Sequence, residues 1–334
     1  MSCVASVLVA GASGYAGALA ARLVARHPRL ELAAVTSRSD VGKPLRALYP
    51  HHRVDAVLEE LALDGPHGEV DAAIVAYPHG AAAPAVAALR ARGVKVIDLS
   101  ADFRLRSLDT YEEWYVEHTA PELLTGAVYG LPERYREQLH GADLVANPGC
   151  FPTAAVLALA PLAPYLTDVV IDAKTGVSGS GRAATDATHF VSVDGNVKAY
   201  KAGGHRHTPE IEQELEAAGG PAGLTISFTP HLLPLDQGEL LSCYVRMADG
   251  APAAVELLAA AYAGEPFVEL VPGPPGVRDV RETNLCALHV LEDPRTGRTL
   301  VFAAIDNLWK GTSSQAVQNL NLMLGLPEDE GIAT

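Results

Sequence analysis

The chain has 334 residues, of which 49% are hydrophobic and 19% are charged. At about 150 residues per domain, this length predicts two domains, each able to bury a core without disulfides or a structural metal. Lys and Arg number 25 against 40 Asp and Glu, which gives a formal net charge of -15. Because such a surface repels phosphate groups, we expect no binding to nucleic acid or to an anionic membrane.

The N-terminal residues alternate between strand and helix patterns. Short apolar runs at 4–10, 30–35, 72–77, 94–99 and 144–146 are separated by helical patterns at 15–26 and 82–92. Continuous apolar strands that alternate with helices are typical of a doubly wound parallel sheet. We therefore predict an α/β domain, Rossmann-like, over residues 1–147, joined by a C-terminal helix at about 312–334.

A different pattern covers residues 148–311. A helix is predicted at 153–160, and strands are predicted at 169–173, 224–228, 239–245, 286–291 and 299–304. These elements predict a second, α+β domain with a mixed, largely antiparallel sheet.

The cysteines and the apolar runs indicate the cellular compartment of the protein. Cys3, Cys150, Cys243 and Cys286 lie far apart in the sequence and show neither a CxxC pair nor zinc-site spacing, so we expect no metal and a reducing compartment. Residues 1–10 lack a basic segment and are predicted to form a strand, not a signal peptide. Since no apolar run reaches about 18 residues, we predict a cytoplasmic protein.

Residues 11–17, which read GASGYAG, follow the first predicted strand and open a helix. Glycines allow a tight turn and a close approach of the backbone, and the helix start presents N–H groups to a pyrophosphate. The alternative is plain packing between strand and helix. We favour a dinucleotide site that includes Gly11, Ser13, Gly14, Tyr15 and Gly17.

The end of the second predicted strand indicates which dinucleotide binds. An NAD enzyme places an acidic residue there for the ribose hydroxyl, whereas this chain has Ser37, Arg38 and Ser39. The guanidinium fork of Arg38 matches a 2′-phosphate. The alternative is a solvated arginine that Asp40 neutralises. We therefore predict NADP(H).

Cys150 is the cysteine whose surroundings suggest chemistry. It lies in NPGCFPT (147–153), where a predicted strand ends in a turn and an apolar helix follows. A thiol at a helix start has a stabilised thiolate and is nucleophilic. Cys3, Cys243 and Cys286 are instead predicted to be small buried hydrophobes.

Two further polar clusters follow Cys150. The segment GGHRHTPE (203–210) contains His205 and His207, either of which suits proton transfer near neutrality. A metal pair remains an alternative, although no further ligand completes it. The loop GVSGSGR (176–182) has an anion-binding composition, the alternative being a flexible loop.

These stretches resemble the N-acetyl-gamma-glutamyl-phosphate reductase family of arginine biosynthesis. Matching segments span nearly the whole chain: GASGYAG (11–17), TSRS (36–39), PHG (78–80), DLSADFRL (98–105), VYGLPE (128–133), NPGCFPTAA (147–155), GVSGSGR (176–182), AYKAGGHRHTPEIEQEL (199–215), TPHLLP (229–234) and AIDNLWKGTSSQAVQNLNLM (304–323).

The resemblance implies NADPH-dependent reduction of N-acetyl-L-glutamyl 5-phosphate to the 5-semialdehyde through a thioester on Cys150. It makes His207 the proton donor, with His205 as the alternative. It adds Pro78, Ser178, Gly179 and Asn307 to the cofactor site. The implied residues for substrate and phosphate are Asn147, Ser180, Arg182, Arg104 and Arg206. A homodimer or homotetramer is implied, with residues 148–311 as the catalytic and oligomerisation domain.

Other functions are compatible with parts of the pattern. Aspartate-semialdehyde dehydrogenase shares the chemistry, and a carrier-linked aminoadipyl-phosphate reductase is a related enzyme, although a chain of charge -15 would repel an acidic carrier. A non-catalytic NADP sensor would need neither the histidines nor the anion loop. A cysteine hydrolase would leave the glycine turn and Arg38 without a role.

Overall fold

A computed structural model describes residues 5–332, so the prediction for Cys3 lies outside the described residues. The chain divides into two compact units. The first runs to Gly149 and resumes at Thr312, and the second is Cys150–Gly311. Each unit contains one sheet of seven strands.

The first unit is built on a parallel sheet. Its strands are β1 (Ala5–Ala10), β2 (Leu30–Thr36), β3 (Leu58–Glu59), β4 (Ala72–Val75), β5 (Lys95–Asp98), β6 (Val128–Tyr129) and β7 (Leu144–Ala146). Their order is β3-β2-β1-β4-β5-β7-β6, and all neighbouring pairs run parallel. Its helices are α1 (Tyr15–Arg26), α2 (Leu45–Leu48), α3 (Ala83–Arg90), α4 (Leu108–Trp114), α5 (Pro132–Leu139) and, from the chain end, α10 (Ser314–Met323).

The apolar strands explain why this sheet is covered on both faces. Alternate residues of β1 belong to different core clusters: Val7 and Val9 pack in one, and Leu8 and Ala10 in the other. Side chains of a strand alternate between its faces, so each cluster fills one side. The predicted doubly wound α/β fold is therefore confirmed.

The second unit carries the mixed sheet. Its strands are β8 (Leu166–Thr175), β9 (Lys198–Ala199), β10 (Ser227–Leu232), β11 (Glu239–Met247), β12 (Val268–Leu270), β13 (Cys286–Asp293) and β14 (Arg298–Ile305). The order is β12-β13-β14-β11-β8-β10-β9. Four pairs are antiparallel, and β10 with β8 and β12 with β13 are parallel. The helices are α6 (Cys150–Leu159), α7 (Phe190–Val193), α8 (Thr208–Ala217) and α9 (Ala254–Ala261).

Two predicted boundaries in the second unit are wrong. The helix predicted at 153–160 already begins at Cys150, and the strand predicted at 224–228 lies instead at Ser227–Leu232 and includes Pro230. Proline normally marks the end or edge of a strand. It is tolerated in β10 because the outer neighbour β9 pairs only with His231 and Leu232.

Within the described part of the chain, no helix combines the length and apolar character needed to cross a bilayer.

Candidate functional site

The glycine turn of the first unit is shaped as a dinucleotide cradle requires. Gly11 has a φ of 84°, and a Cβ there would lie 2.5 Å from the Ala76 carbonyl oxygen. A Cβ on Gly17 would lie 2.4 Å from the Gly11 oxygen. Gly14 caps α1 without a side-chain hydrogen bond, and its own Cβ would meet nothing closer than 3.7 Å. Gly11 and Gly17 therefore form the tight turn, while Gly14 leaves its side of the turn open for a ligand.

The loop after β2 is tied to this turn. The Ser37 hydroxyl is buried, donates to the Ser13 hydroxyl at 2.9 Å, and accepts the N–H groups of Ser39 and Asp40. Tyr49 also donates to the Ser13 carbonyl, at 2.8 Å. Because the Ser37 hydroxyl donates its one proton to Ser13 and accepts two backbone N–H groups, Ser37 holds the loop in place.

Arg38 is exposed in the same loop. Asp40, the residue that might neutralise it, forms its ion pair with Lys43 at 2.8 Å. Over residues 5–332, no carboxylate lies within ion-pair distance of Arg38, and the exposed hydroxyl of Ser39 donates to Asp40. The guanidinium is thus available to a 2′-phosphate, and these residues fit NADP.

Pro78 is exposed in the loop that follows β4. Two residues later, the Gly80 N–H donates to the Asp102 carboxylate at 2.6 Å, and Asp102 also accepts the N–H groups of Ala82 and Ala83. The carboxylate therefore fixes the start of α3 and the loop that carries Pro78.

Two residues predicted to contact substrate serve the backbone of the first unit. Arg104 is 5% exposed, and its guanidinium donates to the carbonyls of Asn147 (2.7 Å) and Leu99 (2.8 Å). Asn147 is fully buried and uses both ends of its amide, toward Thr312 and Asn319. These groups hold the turn before Cys150, and the placing of Arg104 and Asn147 in the substrate site stays a prediction.

In the second unit, Cys150 is the first residue of α6 and is partly exposed. A helix start stabilises a thiolate through its N–H groups and dipole. Cys243 differs, since complete burial raises the pKa of its thiol to about 12, and Cys286 is fully buried. Cys150 is therefore the cysteine suited to nucleophilic chemistry among those that the structure describes.

The main chain at Gly311 lies close against Cys150. A Cβ on Gly311 would be 2.8 Å from the Cys150 Cβ and 3.4 Å from the Asp306 carbonyl oxygen. A glycine here lets the backbone pack onto the first residue of α6 and restricts where the thiol can move.

A buried carboxyl group that the sequence analysis missed also lies beside the thiol. Glu239, the first residue of β11, is 0% exposed. Burial raises the pKa of its carboxyl to about 8, while the Cys150 thiol favours the charged form and Asp306 opposes it. Burial likewise raises the pKa of the neighbouring Tyr200 phenol, with further contributions from Cys150 and Glu239.

Both predicted histidines lie at the start of α8, around the ring of Phe151. The His205 and His207 rings pack edge-on to Phe151 with centroid distances of 5.6 and 5.8 Å, and they lie 4.9 Å from each other. Phe151 follows Cys150 in the sequence. Its ring therefore brings both imidazoles near the start of α6, where the thiol lies.

The two histidines differ in their surroundings. His205 is 9% exposed, and its Nδ1 accepts the backbone N–H of His207 at 3.1 Å. Burial, followed by the charges of Lys201 and Arg206, lowers the pKa of His205 to about 4. His205 is therefore neutral at pH 7, whereas His207 is more exposed and caps α8.

Positive charge is concentrated beside these histidines. Lys201, a residue that the sequence analysis did not single out, adopts a φ of 46°. Its pKa is lowered by burial and by the charge of Arg206. This pair can attract an anionic substrate, while Arg182 lies exposed in the Gly/Ser loop.

The Gly/Ser loop offers fewer donors than its composition suggests. The N–H groups of Gly176, Val177 and Ser178 donate to carbonyls of the loop 235–238 at 2.8–3.0 Å. Asn307 is 1% exposed; its amide donates to the Ser178 hydroxyl at 3.0 Å and accepts the Gly238 N–H at 2.7 Å. Gly179 and Ser180 remain exposed at the tip.

The arrangement in the second unit can perform acyl transfer. It combines a thiol at a helix start, a neutral imidazole beside a second one, and a cationic pair. Together these can provide a nucleophile, a proton donor and an anion site.

The chain matches two family models. Residues 6–142 match the NAD binding domain of semialdehyde dehydrogenases, and residues 150–307 match their dimerisation domain. The fold is also similar to that of aspartate semialdehyde dehydrogenase II from Vibrio cholerae, with a TM-score of 0.74 and 19% identity over 96% of this chain and 98% of that one.

Full-length relatives are more similar in sequence. An N-acetyl-gamma-glutamyl-phosphate reductase from Pelotomaculum thermopropionicum is 48% identical over 98% of this chain and 97% of its own. Another from Desulforudis audaxviator is 50% identical over 97% and 96%. The chain therefore belongs to the N-acetyl-gamma-glutamyl-phosphate reductase family, within the semialdehyde dehydrogenases.

Proposed function

We propose that this chain catalyses the NADPH-dependent reductive dephosphorylation of N-acetyl-L-glutamyl 5-phosphate to N-acetyl-L-glutamate 5-semialdehyde. The observation that carries this proposal is the partly exposed thiol of Cys150 at the start of α6, with Phe151 and both histidines beside it. Family membership supports the substrate, because relatives at 48% and 50% identity bear the name of that reductase.

In the proposed first step, the Cys150 thiolate attacks the acyl-phosphate carbonyl. The carbon–sulfur bond forms, inorganic phosphate leaves with the electrons of the carbon–oxygen bond, and a thioester remains. The N–H groups at the start of α6 stabilise the oxygen charge that develops. Arg206 and Lys201 attract the substrate anion, and Ser180 and Arg182 assist the departing phosphate.

When bound, NADPH supplies the hydride that reduces the thioester carbonyl. His207 donates a proton to the carbonyl oxygen as that charge forms and takes it back when the adduct collapses. The carbon–sulfur bond then breaks, which frees the aldehyde and restores the Cys150 thiolate. We assign His207 this role because His205 is neutral at pH 7 and its Nδ1 already accepts the His207 N–H.

We propose that residues 1–147 with 312–334 bind NADP and that residues 148–311 carry the chemistry and the oligomer contacts. Gly11, Gly14, Gly17 and Arg38 would hold the cofactor, and Ser178, Gly179 and Asn307 are proposed as its partners in the second unit. A homodimer or homotetramer in the cytoplasm completes the proposal. Light scattering of the purified protein measures its oligomeric state.

The decisive assay follows NADPH consumption with N-acetyl-glutamyl phosphate beside the aspartyl and aminoadipyl phosphates. We expect turnover at least 100-fold more efficient with the first. Cys150→Ser should bind NADPH unchanged and lose reduction. A preference for aspartyl phosphate would make the chain an aspartate-semialdehyde dehydrogenase, and residual reduction by the serine variant would remove Cys150 as nucleophile.

A further inference from the structure

Asn147 is held on every side in the turn that follows β7. Its backbone N–H donates to the Asp98 carbonyl at 2.9 Å, and its own carbonyl accepts from the Arg104 guanidinium at 2.7 Å. Its side-chain amide donates to the Thr312 carbonyl at 3.2 Å and accepts from the Asn319 amide at 3.0 Å. Each of the four polar groups of this fully buried residue therefore has a partner within the first unit.

The hydrogen bond between Asn147 and Thr312 joins two short segments that lead to the thiol. Asn147 stands three residues before Cys150, the first residue of α6. Thr312 directly follows Gly311, where a Cβ would lie 2.8 Å from the Cys150 Cβ. The bond therefore ties the segment that enters α6 to the segment that packs against the start of α6.

Asn319, in α10, determines which way the Asn147 amide points. The Asn319 Nδ2 donates both to the Gly130 carbonyl at 2.8 Å and to the Asn147 Oδ1. Since both of these atoms are acceptors, only the NH₂ end of Asn319 can face them. The Asn147 oxygen is thereby turned toward Asn319, and the Asn147 NH₂ is turned toward the Thr312 carbonyl.

The fold keeps this orientation although it leaves one oxygen unsatisfied. Asn319 is fully buried, and over residues 5–332 its Oδ1 has no hydrogen-bond partner, which is unfavourable for a buried polar atom. A Cβ on Gly130 would lie 2.5 Å from the Asn319 Nδ2, so a glycine lets the amide reach that carbonyl. Both features indicate that the direction of the Asn319 amide is constrained.

We propose that Asn319 is a positioning residue for the proposed reaction: through Asn147, it fixes the turn that presents the Cys150 thiol at the start of α6. This inference rests on Cys150 as the proposed nucleophile. Because Asn319 acts on the turn, its loss should slow the chemical step and leave NADPH binding unchanged.

Two other fully buried amides of α10 provide matched controls. Asn321 donates to two carbonyls of the C-terminal segment at 3.3 and 2.9 Å, and its Oδ1 likewise has no partner among the described residues. Gln315 donates to the Gly130 carbonyl at 2.8 Å. Asn321 therefore reproduces the surroundings of Asn319 away from the turn, and Gln315 reproduces its Gly130 contact without the contact to Asn147.

The kinetic test uses the full-length protein with Asn319→Asp, Asn321→Asp and Gln315→Met. A carboxyl group carries at most one proton, so it cannot serve the two acceptors that each asparagine amide serves. We expect Asn319→Asp to lower kcat at least tenfold, with the KM for NADPH within twofold of the native value. Asn321→Asp and Gln315→Met should keep kcat within threefold.

A second readout is independent of the acyl substrate. Iodoacetamide labelling of Cys150, followed by mass spectrometry, reports the ionisation of the thiol. Asn319→Ala, which removes the donor without adding a charge, should label at least threefold more slowly at pH 7. The reason is that a thiol displaced from the helix start loses the N–H groups that stabilise its thiolate. Asn321→Ala should label at the native rate.

Thermal unfolding separates positioning from a general loss of stability. Asn319→Asp and Asn321→Asp bury the same group in the same helix, so their midpoints should fall by similar amounts. Equal losses of kcat in these two variants would overturn the proposal, as would native or faster labelling in Asn319→Ala. A tenfold loss in Gln315→Met would place the effect at Gly130 and would also overturn it.

Failure of the proposed function would be distinguishable from failure of this inference. If Asn319→Asp does not fold, Asn319→Ala supplies both the kinetic and the labelling comparison. If Cys150→Ser still reduced the acyl phosphate, the proposed function would fail, whereas the labelling rates would still decide whether Asn319 holds the thiol in place.

Discussion

The Nδ1 atom of His205 accepts the backbone N–H of His207 at 3.1 Å. This bond leaves Nε2 of the neutral His205 ring to carry the proton and fixes the position of the residue that caps α8. The more buried histidine therefore supports the more exposed one.

The first prediction separates the two histidines. His207→Asn should lower kcat at least 100-fold, which is the lower end of what a positioned acid–base group contributes. His205→Asn should lower kcat less than tenfold, because the amide oxygen can still accept the His207 N–H. Steady-state kinetics at pH 7 measures both, and the opposite order would exchange the two roles.

The second prediction concerns Arg38 and cofactor choice. Arg38→Ala should raise the KM for NADPH about 10- to 100-fold, in line with the loss of a hydrogen bond to a charged group, and should leave the KM for NADH nearly unchanged. Arg46→Ala is the control, since Arg46 is an arginine of the same unit paired with Asp55 at 2.9 Å. Equal weakening of both cofactors would contradict a contact with the 2′-phosphate.

The third prediction concerns acid stability. Burial, with smaller contributions from nearby cationic groups, lowers the pKa of His52 from 6.5 to about 4. Below pH 6.5, the unfolded state takes up a proton that the folded state does not bind until about pH 4. The free energy of unfolding should therefore fall as the pH drops through this range, by about 2 kcal/mol from this residue at pH 5.

Denaturant unfolding of His52→Gln at pH 7 and pH 5 checks this expectation. The variant should lose about 2 kcal/mol less than the native protein between the two pH values. Because the comparison is a difference between pH values, packing changes at the substituted site largely cancel. His140→Gln, at an exposed position, should behave like the native protein. An equal loss for the native protein and His52→Gln would refute the assignment.

The fourth prediction uses the close approach at Gly311. Gly311→Ala places a methyl group 2.8 Å from the Cys150 Cβ, so either the turn or the start of α6 must shift. We expect a loss of about 1–3 kcal/mol in stability and at least a tenfold loss in turnover. Gly273→Ala meets no atom within 4 Å and should change neither quantity. Native turnover in Gly311→Ala would show that the thiol tolerates displacement.

The sequence determined the features that depend on neighbours in the chain. The glycine turn at residues 11–17, the turn that precedes Cys150 and the apolar strand runs are local, because turn conformation and side-chain period follow from adjacent residues. The order of strand and helix patterns along the chain likewise predicts the parallel first sheet and the mixed second sheet. One exception was β10, which contains Pro230 and lies next to the short edge strand β9, a position that only the sheet order defines.

Tertiary structure decided how each polar side chain is used. Glu239 opens a predicted strand, yet only the packing of β11 shows that it is enclosed beside Cys150. Arg104 and Asn147, which the resemblance implied as substrate residues, bond through their side chains to backbone carbonyls, and only the folded chain shows this. Burial and partners come from residues distant in sequence, and they set charge and availability. Residue type alone therefore identifies the candidates, and packing selects among them.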